Sequence, residues 1–303
     1  MSFSTPILFL IFNRLDTTTQ VLNEIRKVKP KKFYIACDGA RQCKEGELQK
    51  VQDIRNFVLN SIDWECNVKT LFQNNNLGCK EAVSTAISWF FENEEMGIIL
   101  EDDCLPSQDF FPFCEELLIK YKDDQRIGHI GGTNPIAECE KDNSYYFSVY
   151  NRIWGWASWR RAWNLYDKEI KDWPIIKAKK ILYNLLRSKE EIDFFTDTLE
   201  QCYQGKIDTW DYQWFLARLL NSKAIIPNVN LISNIGFGED ATHTSDTNNP
   251  LANLKLGTLS FPLEHPKYIV QDVEKDFLWS KFITKSRKNI IRKILRYIKR
   301  LLK

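Results

Sequence analysis

The stretch Gly97-Ile98-Ile99-Leu100-Glu101-Asp102-Asp103-Cys104-Leu105-Pro106 runs from an apolar segment straight into three carboxylates. The apolar part reads as a buried strand, and Pro106 is expected to stop it. Side chains alternate along a strand, which sends Glu101 and Asp103 to one side and Asp102 to the other. Carboxylates at the carboxyl end of a strand suit a divalent cation carrying a phosphate on its far side. The alternative is an acidic turn leading into a helix whose first turn welcomes negative charge. Further candidates also fall at strand ends: Asn13 and Arg14 after one apolar run, Asp38 and Gly39 after the next. Arg14 could fork onto a phosphate or stack on a base, and Asp38 could accept the imide N–H of a uracil-like base. A surface arginine and a routine Asp-Gly turn are the plainer readings.

Three more candidates lie downstream. Asp211, in Asp208-Thr209-Trp210-Asp211, would sit in the first turn of a helix capped by Thr209, where it could take a proton from an attacking hydroxyl or merely complement the helix dipole. His243, in a polar glycine-punctuated loop, could join a carboxylate on Mn²⁺ or serve as a loop hydrogen-bonder. Trp154, Trp156 and Trp210 could offer faces to a sugar, although at least two of the four indoles between Trp154 and Trp163 are expected to be structural.

The elements that must position these residues alternate. Strands are expected at Ile7–Phe12, Phe33–Cys37, Val68–Phe72 and Gly97–Leu100, and helices follow the first three. Asp16 or Thr17 could cap the first helix, Glu45–Asn60 forms the second, and Ala82, Val83, Ala86, Ile87 and Phe90 line the third. The pattern is that of an α/β fold, a mostly parallel sheet flanked by helices through about residue 130. Beyond it come a strand at Tyr145–Val149, helices near 175–187 and 189–203, and a helix from Thr209 to Leu220. The organisation is therefore 1–130, 131–262 as a second half of the same domain, and 263–303 as an extension.

Composition is ordinary for a globular chain, 44% apolar and 27% charged, so disorder is not the default. The net charge of +2 hides an asymmetry: residues 277–303 hold ten Lys/Arg and no acid, leaving 32 basic against 40 acidic residues before them. In that tail Ile290, Ile291, Ile294, Leu295, Tyr297, Ile298, Leu301 and Leu302 share an arc of about 160°, with cations opposite, at 100° per residue. Such a helix suits an anionic membrane surface better than nucleic acid or its own domain. Eight cysteines without a CxxC pair read as reduced thiols, and no run is long enough for a spanning helix. A cytoplasmic protein, peripheral on the inner face of the cell membrane, is expected. The chain lacks GxGxxG and P-loop sequences.

Together these residues resemble a nucleotide-sugar glycosyltransferase of the GT-A fold. They are similar to the N-acetylglucosaminyltransferase I family and its bacterial relatives in Glu101-Asp102-Asp103 followed by Pro106 and Asp109-Phe110-Phe111. The resemblance covers about residues 6–245. It implies Mn²⁺ (or Mg²⁺) on Asp103, with Glu101 and Asp102 near the ribose and sugar. Asn13, Arg14, Asp38 and Gly39 then frame the nucleotide, and Asp38 together with the resemblance favours a UDP-linked sugar. Asp211 matches the base of an inverting transfer to a glycan or lipid-linked hydroxyl. The Trp-rich segment departs from the family, and His243 resembles a ligand of other GT-A enzymes. A non-catalytic nucleotide-sugar or glycan-binding protein and a sugar-phosphate nucleotidyltransferase are the alternatives. The latter's glycine- and lysine-rich first loop is replaced here by Phe12-Asn13-Arg14.

Overall fold

The computed structural model describes residues 3–136, 143–237 and 250–284. Its first half winds β1 (Ile7–Ile11), α1 (Leu15–Val28), β2 (Lys32–Cys37), α2 (Glu47–Asn60), β3 (Asn67–Phe72), α3 (Cys79–Asn93) and β4 (Met96–Glu101). The four strands are parallel, in the order β3-β2-β1-β4. Continuous apolar runs are required because both faces of the sheet are covered. Ile7, Phe9, Ile11, Ile98 and Leu100 face a core shared with α1, α2 and α4 (Phe110–Lys120). Leu8, Leu10 and Ile99 face a second core built with α3 and the indoles of Trp156, Trp163 and Trp214.

The second half joins the same sheet. β6 (Ile127–Gly131), β7 (Tyr145–Ser148), β8 (Trp156–Trp159) and β9 (Lys223–Pro227) extend the order to β3-β2-β1-β4-β8-β6-β9-β7. Only β7 and β8 oppose the other six strands, so the sheet is mostly parallel, as expected. β8 inserts between β4 and β6, and the change of pattern near residue 130 marks a change of connection within one sheet. The remaining helices are α5 (Arg160–Trp163), α6 (Trp173–Ala178), α7 (Leu182–Leu185), α8 (Lys189–Tyr203) and α9 (Asp211–Asn221), and residues 273–284 are helical.

Several local expectations are corrected. The strand β4 does end at Glu101, but Pro106 is not what stops it: after a turn at Asp102-Asp103 the chain extends again as a separate strand, β5 (Cys104–Pro106), antiparallel to β10 (Ile232–Asn234). Pro106 is tolerated there because it ends a short outer strand. The helix expected near 175–187 is split into α6 and α7, with Lys180 between them at φ 51°. Neither Asp16 nor Thr17 caps α1; Arg14 occupies that position, and the Thr17 and Thr18 hydroxyls donate to its carbonyl. Thr209 does not cap α9 either, since Trp210 stands at the cap without a side-chain bond. The basic segment 285–303 and His243 lie outside the described residues. No helix among the described residues is long and apolar enough to cross a membrane.

Candidate active site

From β1 the chain winds to β2 and β3 on one side, then returns to the other side of β1 for β4. Connections diverge between β1 and β4, and such switch points leave a crevice at the carboxyl ends of the strands. A cavity of about 740 Å³ lies there, lined among others by Asn13, Arg14, Asp38, Glu101, Asp102, Asp103, Trp210 and Asp211.

Alternation explains part of the acidic cluster. Glu101 is the last residue of β4 and continues the Ile99 side, toward α3 and α9, so its half-buried carboxyl meets the charges of Asp103, Asp102 and Asp211. Burial first, then those three charges, push its pKa well above the ordinary carboxylate range. Beyond Glu101 alternation fails, because the turn brings Asp102 and Asp103 to the same guanidinium. Arg14 Nη2 donates to Asp102 Oδ1 and Asp103 Oδ2, each at 2.8 Å. The backbone N–H of Phe12 donates to Asp102 Oδ2 at 3.2 Å, tying the ends of β1 and β4 together. Burial raises the Asp102 pKa to about 6 despite the opposing pull of Arg14. For Arg14 burial acts downward, but Asp102 and Asp103 outweigh it and hold the guanidinium charged. Arg14 thus spends three of its five N–H donors within the protein, where the sequence suggested a phosphate or base.

Asp103 is held from a third direction. Its carbonyl accepts from the Ile235 N–H at 2.9 Å, and Gly236 O accepts from Arg14 Nη1 at 3.3 Å. A Cβ on Gly236 would collide with Asp103 Oδ2 and Arg14 Nη1, so only glycine fits this approach.

Asp38 faces the cavity, yet its oxygens accept from the N–H groups of Gly39, Leu77 and Gly78 and from Asn76 Nδ2. A base N–H would have to share or replace one of these donors. The carboxylate pins the Asn-rich loop against the end of β2, where a Cβ on Gly39 would collide with the Asn75 backbone. Asn13 donates to Glu47 Oε1 at 2.8 Å.

Asp211, which lines the same cavity, is the first residue of α9 and accepts from the Thr209 hydroxyl. Three contacts fix the loop before it. Asp208 accepts from the N–H groups of Cys79 and Lys80, both at 2.9 Å, so it caps α3 from a distant part of the chain. Thr209 O accepts from Gln213 Nε2 at 2.8 Å. The Trp210 ring stacks on Trp156, centroids 5.7 Å apart. The surplus of acid is felt by the Cys79 thiol, whose pKa burial pushes up to about 12 with help from Glu101, Asp211 and Asp208.

The tryptophans divide. Trp156, Trp159 and Trp163 are buried, and Trp156 is enclosed by His129, Trp163, Trp210 and Trp214. Trp156 therefore has no face for a sugar, which corrects the expectation for that residue. Trp210 is 3% exposed and spends its ring on Trp156, which likewise removes it as a platform although it lines the cavity. Trp154 remains part-exposed at the cavity wall, edge-on to Phe237. Sequence reasoning missed Asp208 and Arg152: the first was legible only as an Asp three residues before a helix, and the second carries no local signal.

A hard divalent cation can be tested against these donors. Among the described residues no three metal-ligating side chains converge. Asp103, with Glu101 and Asp102 close by in charge, suits a cation that takes one or two carboxylates and completes its shell with phosphate oxygens and water.

No protein-family model and no curated protein matches the sequence. Among solved structures, a cytidylyltransferase from Leptospira borgpetersenii is 11% identical, with 53% of this chain and 63% of that one covered at a TM-score of 0.33. TarS of S. aureus is 14% identical over 55% of this chain and 31% of its own, at 0.35. Mannose-1-phosphate geranyltransferase from Thermus thermophilus is 11% identical over 74% of each chain, at 0.37. The chain thus spans less than two thirds of the first two. Likeness at this level carries neither family nor activity across.

Proposed function

We propose that the chain is an inverting glycosyltransferase that moves a sugar from a nucleoside-diphosphate sugar, UDP-linked by preference, to a hydroxyl of a glycan or lipid-linked acceptor. The supporting observation is one cleft lined both by Glu101, Asp102 and Asp103 at the switch point and by Asp211 at a helix start. Asn13, Arg14, Asp38 and Gly39 border the nucleotide end. Arg14 holds Asp102 and Asp103 in place. Asp211 accepts the proton of the acceptor hydroxyl as its oxygen attacks the anomeric carbon from the face opposite the leaving diphosphate. Mn²⁺ or Mg²⁺, held by Asp103, would supply neutralisation of charge on that diphosphate.

The test is calorimetric binding of a panel of nucleoside diphosphates, with and without Mn²⁺, to the intact protein and to Asp103→Ala. Manganese-dependent binding of one nucleotide, weakened at least ~30-fold in the variant, is expected from loss of a ligating carboxylate. Failure of every nucleotide to bind would end the proposal. Pyrophosphate release from a nucleoside triphosphate and a sugar 1-phosphate would replace it with nucleotidyl transfer.

The site is proposed to work at an anionic membrane surface, reached by the basic amphipathic segment. The described residues before that segment already expose apolar side chains, Tyr268 and Val270 at 67% each. Deleting residues 286–303 is expected to release the protein from vesicles containing phosphatidylglycerol in a sedimentation assay. Retained binding would locate the attachment elsewhere, and no binding by the intact protein would remove it.

A further inference from the structure

Arg152 lies in the loop between β7 and β8 and lines the same cleft. The residue is 4% exposed, and its Nε, Nη1 and Nη2 atoms are buried with no hydrogen-bond partner among the described residues. The Tyr146 hydroxyl, also buried, interacts with this guanidinium and favours its charge, yet the two form no hydrogen bond of good geometry. Two other inward arginines are paired: Arg14 with Asp102 and Asp103, Arg218 with the Ser222 and Val149 carbonyls. Asp276 contributes some opposite charge, but its oxygens already accept from Ser148 Oγ, the Val149 N–H and Gln271 Nε2. Burying a guanidinium without a hydrogen-bonded anion is unfavourable, and most of its five N–H donors are left over.

The surroundings hold this cation in place. Its guanidinium carbon lies 3.6 Å from the ring centroid of Trp279, on helix 273–284, a contact that stabilises charge without using any donor. Its backbone carbonyl accepts from His129 Nε2 at 2.9 Å. The Trp214 indole N–H can only donate, and it points at His129 Nδ1 at 3.2 Å, so Nε2 must carry the proton. His129 belongs to β6, on which α9 with Asp211 packs. Only β8 separates β6 from β4, a distance of roughly 10 Å at sheet spacing. The Arg152 backbone is therefore anchored at β6, two strands from the carboxylates at the end of β4.

We propose that Arg152, backed by Trp279, is the subsite for an anionic substituent, phosphate or carboxylate, on the acceptor sugar. The inference rests on the glycosyl-transfer reading, in which Asp211 receives the acceptor hydroxyl. A planar guanidinium with its donors unspent is matched to two-oxygen recognition of either group.

Calorimetry on the full chain, with nucleoside diphosphate and Mn²⁺ present, tests this using glucose 6-phosphate, glucuronate and glucose as probes. At least one anionic sugar is expected to bind tenfold or more tighter than glucose, and which one does so separates phosphate from carboxylate. Arg152→Met should abolish that preference, Arg152→Lys should retain part of it, and both should bind the nucleoside diphosphate as the parent does. The thermal midpoint of Arg152→Met should be equal or higher, because an uncompensated charge has left the interior. Equal binding of charged and neutral sugars by the parent, or a preference surviving Arg152→Met, would overturn the subsite. Weakened nucleotide binding in Arg152→Met would move the arginine to the donor, and a marked fall in its thermal midpoint would make it structural. If the parent shows the anionic preference but binds no nucleotide, the glycosyl-transfer reading fails while the anion subsite stands.

Discussion

Asp211→Asn is expected to lower turnover about a thousandfold while leaving nucleoside-diphosphate affinity within a factor of two. General-base contributions span roughly 10²–10⁴ in rate, and an amide in this position can accept a hydrogen bond but not a proton. The substitution is nearly isosteric. Asn Oδ1 can still accept from the Thr209 hydroxyl, and the loop keeps its other anchors, the Asp208 cap on α3 and the Trp210 stack on Trp156. The wall should therefore stay in place while its chemistry is lost. It also removes one of the charges that raise the Glu101 pKa, so donor binding has no electrostatic reason to weaken. The measurement is the rate of nucleoside-diphosphate release with acceptor present, beside calorimetric affinity. Turnover retained within threefold would show that Asp211 is not the base, and would favour a protein that binds without catalysing.

The sheet was legible because physical necessity wrote it plainly. A strand covered on both faces must be apolar throughout, as Ile7–Ile11 and Ile98–Leu100 are, and helices between such strands repeat at their own period. The strand ends were therefore locatable, and with them Arg14, Asp38 and Glu101–Asp103. What these residues do to one another was not legible. The turn at Asp102-Asp103 cancels alternation, and the partnership of both with Arg14 joins positions 88 and 89 residues apart. An indole looks the same in a sequence whether it meets solvent or four other rings, so Trp154 and Trp156 could not be told apart. The Asp208 cap reaches a helix start 129 residues earlier, and no local pattern announces that. Arg152 is the extreme case: its significance lies in partners it lacks.

Arg14→Met is expected to destabilise the protein by roughly 3–5 kcal/mol near neutral pH, the usual cost of leaving a buried ion pair with one partner. Arg14 is 21% exposed at its side chain against 7% and 13% for Asp102 and Asp103, so water screens little of this pair. The loss should depend on pH with a defined sign. Even beside Arg14, burial raises Asp102 from 3.8 to about 6, so the carboxyl takes up a proton on folding. Its contribution is complete below about 3.8 and is lost as pH rises through about 6, a span of two units worth on the order of 3 kcal/mol. Removing Arg14 removes what lowers that pKa, so the folded-state value rises and the declining limb extends further upward. The variant should recover much of its deficit near pH 5, where Asp102 is protonated, and show it in full near pH 7.5. Urea unfolding of both proteins at those two pH values measures it. A deficit of equal size at both would assign Arg14 a packing role, and one below about 1 kcal/mol would mean the pair is no stronger than a surface bridge.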